Sequence, residues 1–160
     1  MVIDTVFLDI DGILTDGAVY VDSSGNETKR MIFDDIDAIF ELKRNNIKIG
    51  FLTGEDGPFC EYIRRRFNPD FFLTGCKDKL KRFKNLVREA DLDADRICYA
   101  GDSKKDIDLL KYLTLSFAPA DVAVEVRASA KVVLKAGRGQ GVVRELADRI
   151  LEKQAHPGLY

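Results

Sequence analysis

Short apolar runs rich in β-branched residues alternate along the chain with longer stretches in which apolar residues repeat at helical spacing. This alternation predicts an α/β protein with a Rossmann-like, doubly wound parallel sheet and helices on both faces. Strands are predicted at residues 3–8, 47–52, 71–73, 97–100, 115–117 and 131–134. Helices are predicted at about residues 36–44, 62–67, 79–90 and 107–112, from about residue 121, and at residues 143–151.

One departure from this alternation is a turn-rich segment, residues 22–26 (DSSGN), between two short runs at residues 18–21 and 28–33. Such a segment favours a β-hairpin, here over about residues 18–33. The 160 residues fit a single domain of the usual size of roughly 100–150 residues. We expect that domain to occupy residues 1–154, with residues 155–160 as a loose C-terminal tail.

Composition and charge exclude several classes of protein. With 25 Lys and Arg against 27 Asp and Glu, the formal charge is −2, which does not attract nucleic acid. The longest stretch without a charge, residues 112–120, is far shorter than the ~20 residues of a membrane helix. The three cysteines are an odd number without metal-site spacing, as in reduced cytoplasmic proteins. We therefore expect a cytoplasmic protein without nucleic-acid or membrane partners.

Acidic side chains follow two of the predicted strands. Asp9 and Asp11 lie at the end of the first strand, Asp102 ends the strand at residues 97–100, and Asp106 lies one helical turn later. The carboxyl ends of parallel strands meet at one edge of the sheet, so we expect the four carboxylates to share a cleft. They would repel one another without a cation. Oxygen ligands, in a chain without a histidine or cysteine cluster, favour Mg²⁺ over zinc.

Thr53 and Lys79 add a hydroxyl and an ammonium at the same predicted edge. These groups suit the oxygens of a phosphoryl group, and together with the carboxylates they indicate aspartyl-phosphate chemistry. Taken singly, each feature has an ordinary structural explanation: the acidic pair as a turn, Asp102 as a helix cap, and Lys79 as a solvated residue. Their common position at strand ends, in this order, is hard to explain as coincident turns.

The residues 9–12 (DIDG), Thr53, Lys79 and residues 101–106 (GDSKKD) resemble the four motifs of the haloacid dehalogenase superfamily. The resemblance implies that Asp9 is the nucleophile and Asp11 the general acid and base. Thr53 and Lys79 would bind the phosphoryl group, with Lys77 as a weaker alternative to Lys79. Magnesium would be held by the Asp9 carboxylate, the Asp11 backbone carbonyl and Asp102, with Asp106 supporting this shell.

Residues 8–17 (LDIDGILTDG) and the glycine-rich residues 137–141, followed by Arg144 and Glu145, resemble one branch of that superfamily. This branch contains the phosphatases of 3-deoxy-D-manno-octulosonate (KDO) 8-phosphate and of its nine-carbon relatives. Neither gap between Asp11, Thr53 and Lys79 can hold a cap domain of about 50 residues. The resemblance implies a capless homotetramer in which hairpins associate and a neighbouring subunit completes each site. Alternatively, the hairpin is an ordinary surface feature and residues 137–141 are a flexible turn.

The resemblance extends to the sugar. Residues 53–55 (TGE) are similar to phosphatases of 2-keto-3-deoxy-nononate (KDN) 9-phosphate, since the octulosonate enzymes usually carry arginine at the position of Glu55. Gly54, Glu55 and Arg66, with Arg64, would then bind a sugar acid phosphate, and KDN 9-phosphate is the expected substrate. KDO 8-phosphate is the alternative. Two departures are Ile63, where the nononate enzymes have arginine, and Ser103, where the branch has aspartate.

Two other classes of function use similar residues. Receiver domains, which accept a phosphoryl group in signalling, combine an acidic pair with a threonine and a lysine. Their accepting aspartate ends a later strand, however, and the matching strand here ends at Thr53. A catalytically silent interaction module is the other alternative, and the intact set of Asp9, Asp11, Lys79 and Asp102 argues against it.

Overall fold

A six-stranded parallel sheet forms the centre of the protein in a computed structural model that describes residues 2–156. Its strands follow the order β5-β4-β1-β6-β7-β8, and every pairing is parallel. A separate two-stranded antiparallel sheet pairs β2 with β3. The strands are β1 (Thr5–Leu8), β2 (Tyr20–Val21), β3 (Glu27–Thr28), β4 (Lys48–Leu52), β5 (Phe71–Leu73), β6 (Ile97–Ala100), β7 (Leu115–Ala118) and β8 (Val132–Val133).

Helices cover both faces of the sheet, so the predicted doubly wound α/β fold is confirmed. They are α1 (Phe33–Arg44), α2 (Pro58–Phe67), α3 (Lys79–Glu89), α4 (Ile107–Tyr112), α5 (Val124–Ser129) and α6 (Val142–Ala155). One apolar core includes Ile39, Phe51 and Leu146 and lies under α1, α2 and α6. The other includes Phe83 and Leu110 and lies under α3 and α4. Within residues 2–156, no helix is long and apolar enough to cross a bilayer.

The centre of the sheet is closely packed around Phe7. This residue is the register partner of Gly50 on the neighbouring strand, and a Cβ atom at Gly50 would lie 2.3 Å from the Phe7 ring. The ring of Phe7 also stacks on Phe71 and lies nearly perpendicular to the ring of Phe83. Gly50 therefore makes room for an aromatic cluster that fixes β1 at the centre, directly before the acidic pair.

The hairpin is shorter than predicted. Only residues 20–21 and 27–28 pair, and residues 29–32 lead from the hairpin into α1, which begins at Phe33. The prediction that residues 18–33 form the hairpin is therefore wrong at its C-terminal end. Beyond Thr28 the chain leaves the hairpin, and the side chains of Lys29 and Arg30 donate to Asp11 and to the carbonyl of Gly139 on other loops.

The C-terminal helix is longer than predicted. It continues to Ala155, where a loose tail was expected to begin, and Gln154 donates a side-chain hydrogen bond to the carbonyl of Ile3. This contact ties the end of α6 to the start of the chain. The rest of the predicted tail, residues 157–160, lies outside the described residues.

Candidate active site

Asp9 directly follows β1 at the carboxyl edge of the sheet. Its backbone N–H donates to the carbonyl of Ala100, the last residue of β6, so the first turn after β1 is anchored to the neighbouring strand. Gly12 has a φ of +83°, and a Cβ atom there would lie 1.9 Å from Oδ2 of Asp102. Only glycine fits at this position, because the backbone must turn left-handed directly against the Asp102 carboxylate.

A buried ammonium lies at the centre of the carboxylates. Lys79, the first residue of α3, places Nζ 2.9 Å from Oδ2 of Asp9 and 2.7 Å from Oδ1 of Asp106. Although burial opposes this, the two carboxylates raise the pKa of Lys79, which is therefore charged at neutral pH. Lys77, the alternative in the sequence, is exposed. The structure thus brings Lys79 and not Lys77 to the carboxylates.

Asp106 uses both of its oxygens to hold its neighbours. Oδ1 accepts hydrogen bonds from Lys79 Nζ and, at 2.6 Å, from the hydroxyl of Tyr99. Oδ2 accepts from the backbone N–H groups of Asp102 and Ser103, each at 2.9 Å, and from the Ser103 hydroxyl. Asp106 thereby fixes the loop that carries Asp102, and Ser103 takes part in this network.

The carboxylate cluster fits a hard divalent cation. Carboxylate oxygens of Asp9, Asp102 and Asp106 all lie within 4.8 Å of one another. Burial raises the pKa of Asp9 and of Asp102, and the neighbouring Asp106 acts in the same direction on both. Three carboxylates thus share a buried site with the single ammonium of Lys79. The remaining negative charge on oxygen donors is the environment that Mg²⁺ prefers.

Asp11 does not belong to that cluster. Its carboxylate oxygen Oδ1 accepts a 2.8 Å hydrogen bond from Nζ of Lys29, which follows β3. The Lys29 ammonium also lies 5.0 Å from the centre of the Phe59 ring. The two aspartates of the acidic pair therefore have different partners, since Asp9 is bound to Lys79 and Asp11 to Lys29.

Thr53 directly follows β4, which lies beside β1, and is buried. Its backbone N–H donates to the carbonyl of Leu73, and its hydroxyl oxygen accepts from the N–H of Glu55. This turn fixes the hydroxyl at the carboxyl edge of the sheet. Gly54 and Glu55, which follow, are exposed at the same edge.

The two arginines predicted to bind substrate lie elsewhere in this chain. Arg64 pairs with Glu61 on the surface of α2. Arg66 lies in the last turn of α2, eight residues after Pro58. Because an α-helix rises about 1.5 Å per residue, the two residues are about 12 Å apart along the helix axis. The chain then reaches Asp70, whose Oδ2 accepts a hydrogen bond from the backbone N–H of Ile49 near the amino end of β4. Because α2 runs away from the carboxyl edge, Arg64 and Arg66 do not join the carboxylates within one chain.

Three side chains at the site were not found from the sequence: Lys29, Tyr99 and Arg138. Arg138 belongs to the glycine-rich residues 137–141, and its Nη1 lies 4.0 Å from Oδ2 of Asp102. The backbone N–H of Arg138 donates to Asp121, which also faces the guanidinium. Tyr99 lies in β6, where the alternation of side chains along a strand is a signal for a residue that faces its neighbours in the interior. Arg138 lies within the glycine-rich residues that resemble the branch, whereas Lys29 carries no local signal.

The fold and the site together define a hydrolase that handles a phosphoryl group beside a carboxylate cluster. A family model of haloacid dehalogenase-like hydrolases matches residues 73–146. The sequence is 30% identical to 3-deoxy-D-manno-octulosonate 8-phosphate phosphatase from Haemophilus influenzae. The alignment extends over 158 residues and covers 97% of this chain and 86% of that relative. The chain therefore belongs to the haloacid dehalogenase-like hydrolases, in the branch of the KDO 8-phosphate phosphatases, and is a phosphoric monoester hydrolase.

Solved structures agree with this assignment. The cobalt-bound phosphatase from Haemophilus influenzae superposes with a TM-score of 0.89 at 30% identity, over 96% of this chain and 90% of that one. The Moraxella catarrhalis phosphatase, in complex with magnesium, phosphate and KDO, gives a TM-score of 0.88 at 25% identity, over 94% and 86% of the two chains. The predicted superfamily and branch are confirmed.

Proposed function

We propose that this protein is a magnesium-dependent phosphatase that hydrolyses KDO 8-phosphate through a phosphoryl group carried on Asp9. The observation that carries the proposal is the pairing of Asp9 with the buried ammonium of Lys79, beside the carboxylates of Asp102 and Asp106. A nucleophilic carboxylate, a fixed cation and a metal-binding cluster at one strand edge are what phosphoryl transfer to aspartate requires.

Each side chain has a distinct role in the proposed reaction. A carboxylate oxygen of Asp9 forms a bond to phosphorus while the bond to the sugar oxygen breaks, and Asp11 gives that oxygen its proton. Asp11 then takes a proton from water, whose oxygen attacks phosphorus and releases Asp9 and phosphate. Lys79 and Thr53 bind the phosphoryl oxygens throughout. Asp9, Asp102 and the carbonyl of Asp11 would hold Mg²⁺, which neutralises negative charge on the phosphoryl group when bound.

The substrate is assigned through the relatives. The Haemophilus influenzae protein is named for KDO 8-phosphate, and the Moraxella catarrhalis structure contains KDO. The sequence favoured KDN 9-phosphate because of Glu55, but neither relative supports the nine-carbon sugar specifically. KDN 9-phosphate is the second candidate substrate. One observation favours it, which is the exposed carboxylate of Glu55 directly after Thr53 and Gly54.

The assembly belongs to the same proposal. The hairpin exposes about half or more of Val19, Tyr20 and Val21 to solvent, and exposed apolar patches of this kind favour association. We propose a homotetramer joined through the hairpins, in which a neighbouring subunit completes each site. Arg64 and Arg66 would then contact the sugar of the substrate in the active site of a neighbouring subunit, and not in the site of their own chain. The cytoplasmic location also stays a prediction, consistent with three free, buried cysteines.

Steady-state phosphate release from KDO 8-phosphate and KDN 9-phosphate tests the proposal. We expect turnover with Mg²⁺, no turnover in excess chelator, and a higher kcat/KM for KDO 8-phosphate. Glu55→Arg serves as the specificity variant and should lower kcat/KM for KDN 9-phosphate more than for KDO 8-phosphate. A preference for KDN 9-phosphate that Glu55→Arg reverses would contradict the assignment to KDO 8-phosphate, and full activity in chelator would contradict the mechanism.

A further inference from the structure

Lys29 reaches the active site from the hairpin. It follows β3 by one residue, and its side chain is 13% exposed although it carries a charge. Its Nζ donates a 2.8 Å hydrogen bond to Oδ1 of Asp11 and lies 5.0 Å from the centre of the Phe59 ring. A lysine side chain loses much rotational freedom when it is held in one place, so a solvated lysine would not adopt this position without compensation.

We propose that Lys29 is the positioning residue of the acid and base Asp11, and that the hairpin thereby sets the geometry of proton transfer. The inference rests on the proposed function, since it concerns the role proposed there for Asp11. Lys29 touches neither the phosphoryl group nor the nucleophile in this proposal. It acts by holding one oxygen of Asp11, which directs the other oxygen of the same carboxylate.

The contacts on either side of the ion pair support this role. Asp11 lies in a turn in which the hydroxyl oxygen of Thr15 accepts from the N–H groups of Gly12 and Gly17, so its backbone is fixed. Its side chain is about one-third exposed and could rotate without a partner. Lys29 supplies that partner, and the face of the Phe59 ring provides a second favourable contact for the same ammonium.

The ion pair also explains why Asp9 and Asp11 can act differently although they are two residues apart. The Lys79 ammonium holds Asp9 in the buried cluster, and the Lys29 ammonium holds Asp11 outside it. Because Lys29 directly follows β3 of the hairpin, any displacement of the hairpin also moves the ammonium that binds Asp11. Small displacements of a catalytic group can lower rates by about 100-fold.

The test compares leaving groups. KDO 8-phosphate releases an alcohol that needs a proton, whereas p-nitrophenyl phosphate releases a stable phenolate that does not. Lys29→Met should lower kcat/KM for KDO 8-phosphate at least about tenfold, since general acids contribute about 10²–10⁴ to rates. For p-nitrophenyl phosphate, kcat/KM should fall less than about threefold. Lys29→Arg should restore most of the loss, because a guanidinium can also bind the Asp11 carboxylate.

Two further variants provide an independent check and a control for this test. Phe59→Leu removes the ring beneath the ammonium and should show the same leaving-group dependence to a smaller extent, even if Lys29→Met folds poorly. Lys111→Met changes an exposed lysine of α4 and should leave both substrates unaffected. Equal losses for both substrates, or no loss for either, would overturn the role of Lys29.

Failure of the proposed function has a different signature. In that case the wild-type protein would release no phosphate from KDO 8-phosphate in the presence of Mg²⁺. KDN 9-phosphate, the second candidate substrate, then replaces KDO 8-phosphate as the alkyl ester in the same comparison. The leaving-group dependence of Lys29→Met is thus measured in either case.

Discussion

Oδ1 of Asp106 accepts a 2.6 Å hydrogen bond from the hydroxyl of Tyr99 in the interior of the protein. The same oxygen binds Lys79, so a neutral donor and a charged donor share one acceptor. Burial and the adjacent Asp106 carboxylate raise the pKa of Tyr99, which therefore stays a donor at all physiological pH values. This arrangement fixes the carboxylate that in turn fixes the Asp102 loop.

Tyr99→Phe should weaken that arrangement without removing it. Loss of one buried hydrogen bond costs about 1–2 kcal/mol of unfolding free energy, and a less rigid Asp106 should reduce kcat several-fold. Chemical denaturation and steady-state kinetics measure the two effects. Tyr112→Phe, at a half-exposed tyrosine, is the matched control and should change neither. Wild-type stability in Tyr99→Phe would show that the hydroxyl contributes nothing to the network.

Arg138 should weaken magnesium binding. Its Nη1 lies 4.0 Å from the Asp102 carboxylate, and at that distance two charges interact with about 1 kcal/mol in water. Arg138→Gln should therefore lower the Kd for Mg²⁺ about fivefold, as measured by isothermal titration calorimetry without substrate. Arg88→Gln, an exposed arginine of α3, should leave the Kd unchanged. A weaker affinity in Arg138→Gln would mean that the arginine orients Asp102 for the metal instead.

Asp35 makes stability depend on pH. It is buried in the first turn of α1, where Oδ1 accepts from the N–H of Arg144, and Oδ2 has no partner among the described residues. Burial raises the pKa of Asp35 to about 6, from an ordinary value near 3.9. The folded state thus favours the protonated acid. The contribution to stability is complete below about pH 4, falls as the pH rises to about 6, and is lost above it.

The variant Asp35→Asn stays uncharged across this range. Relative to wild type, its unfolding free energy should increase by up to about 3 kcal/mol between pH 4 and pH 7. Urea denaturation at a series of pH values measures the difference. Asp37→Asn, on an exposed position of the same helix, provides the control. A difference that does not change with pH would show that Asp35 is ionised in the folded protein at its ordinary pKa.

The hairpin provides the test of assembly. Val19 and Val21 are exposed on it, and glutamate at both positions should dissociate a tetramer by placing like charges in the contact. Light scattering coupled to gel filtration should show a smaller species with reduced kcat/KM. Val124→Glu, at a still more exposed valine on α5, should stay assembled. A wild-type protein that elutes as a fully active monomer would refute the proposed tetramer.

The strand-end chemistry could be predicted from the sequence because parallel strands bring their carboxyl ends together. Asp9 directly follows β1, Asp102 lies two residues after β6, and Lys79 begins α3, so the order of these elements determines the edge they share. The pairing of Lys79 with Asp9 follows from that topology. Lys29 could not be placed in this way, since its contact with Asp11 depends on how the hairpin folds over the sheet.

The errors in element boundaries have local causes. Helix α1 begins after Ile32, which offers no capping side chain, so the usual N-cap residue does not mark its start. Helix α2 begins at Pro58, after Gly57 with a φ of +128°. This Gly-Pro signal was present in the sequence, but the apolar spacing pointed only to the later turns of the helix. The sequence does not give the direction of α2, which takes Arg64 and Arg66 away from the carboxylates of their own chain.

Transfer of phosphate to Asp9 is the central claim, and rapid acid quenching during turnover of KDO 8-phosphate tests it most directly. Mass spectrometry of the digested protein should show one phosphoryl group on the peptide that contains Asp9. Asp9→Asn should fold as wild type, bind Mg²⁺ more weakly, carry no phosphoryl group and release no phosphate, because the nucleophile is lost and its volume is not. Wild-type turnover by Asp9→Asn, or a phosphoryl group on any other residue, would contradict the account.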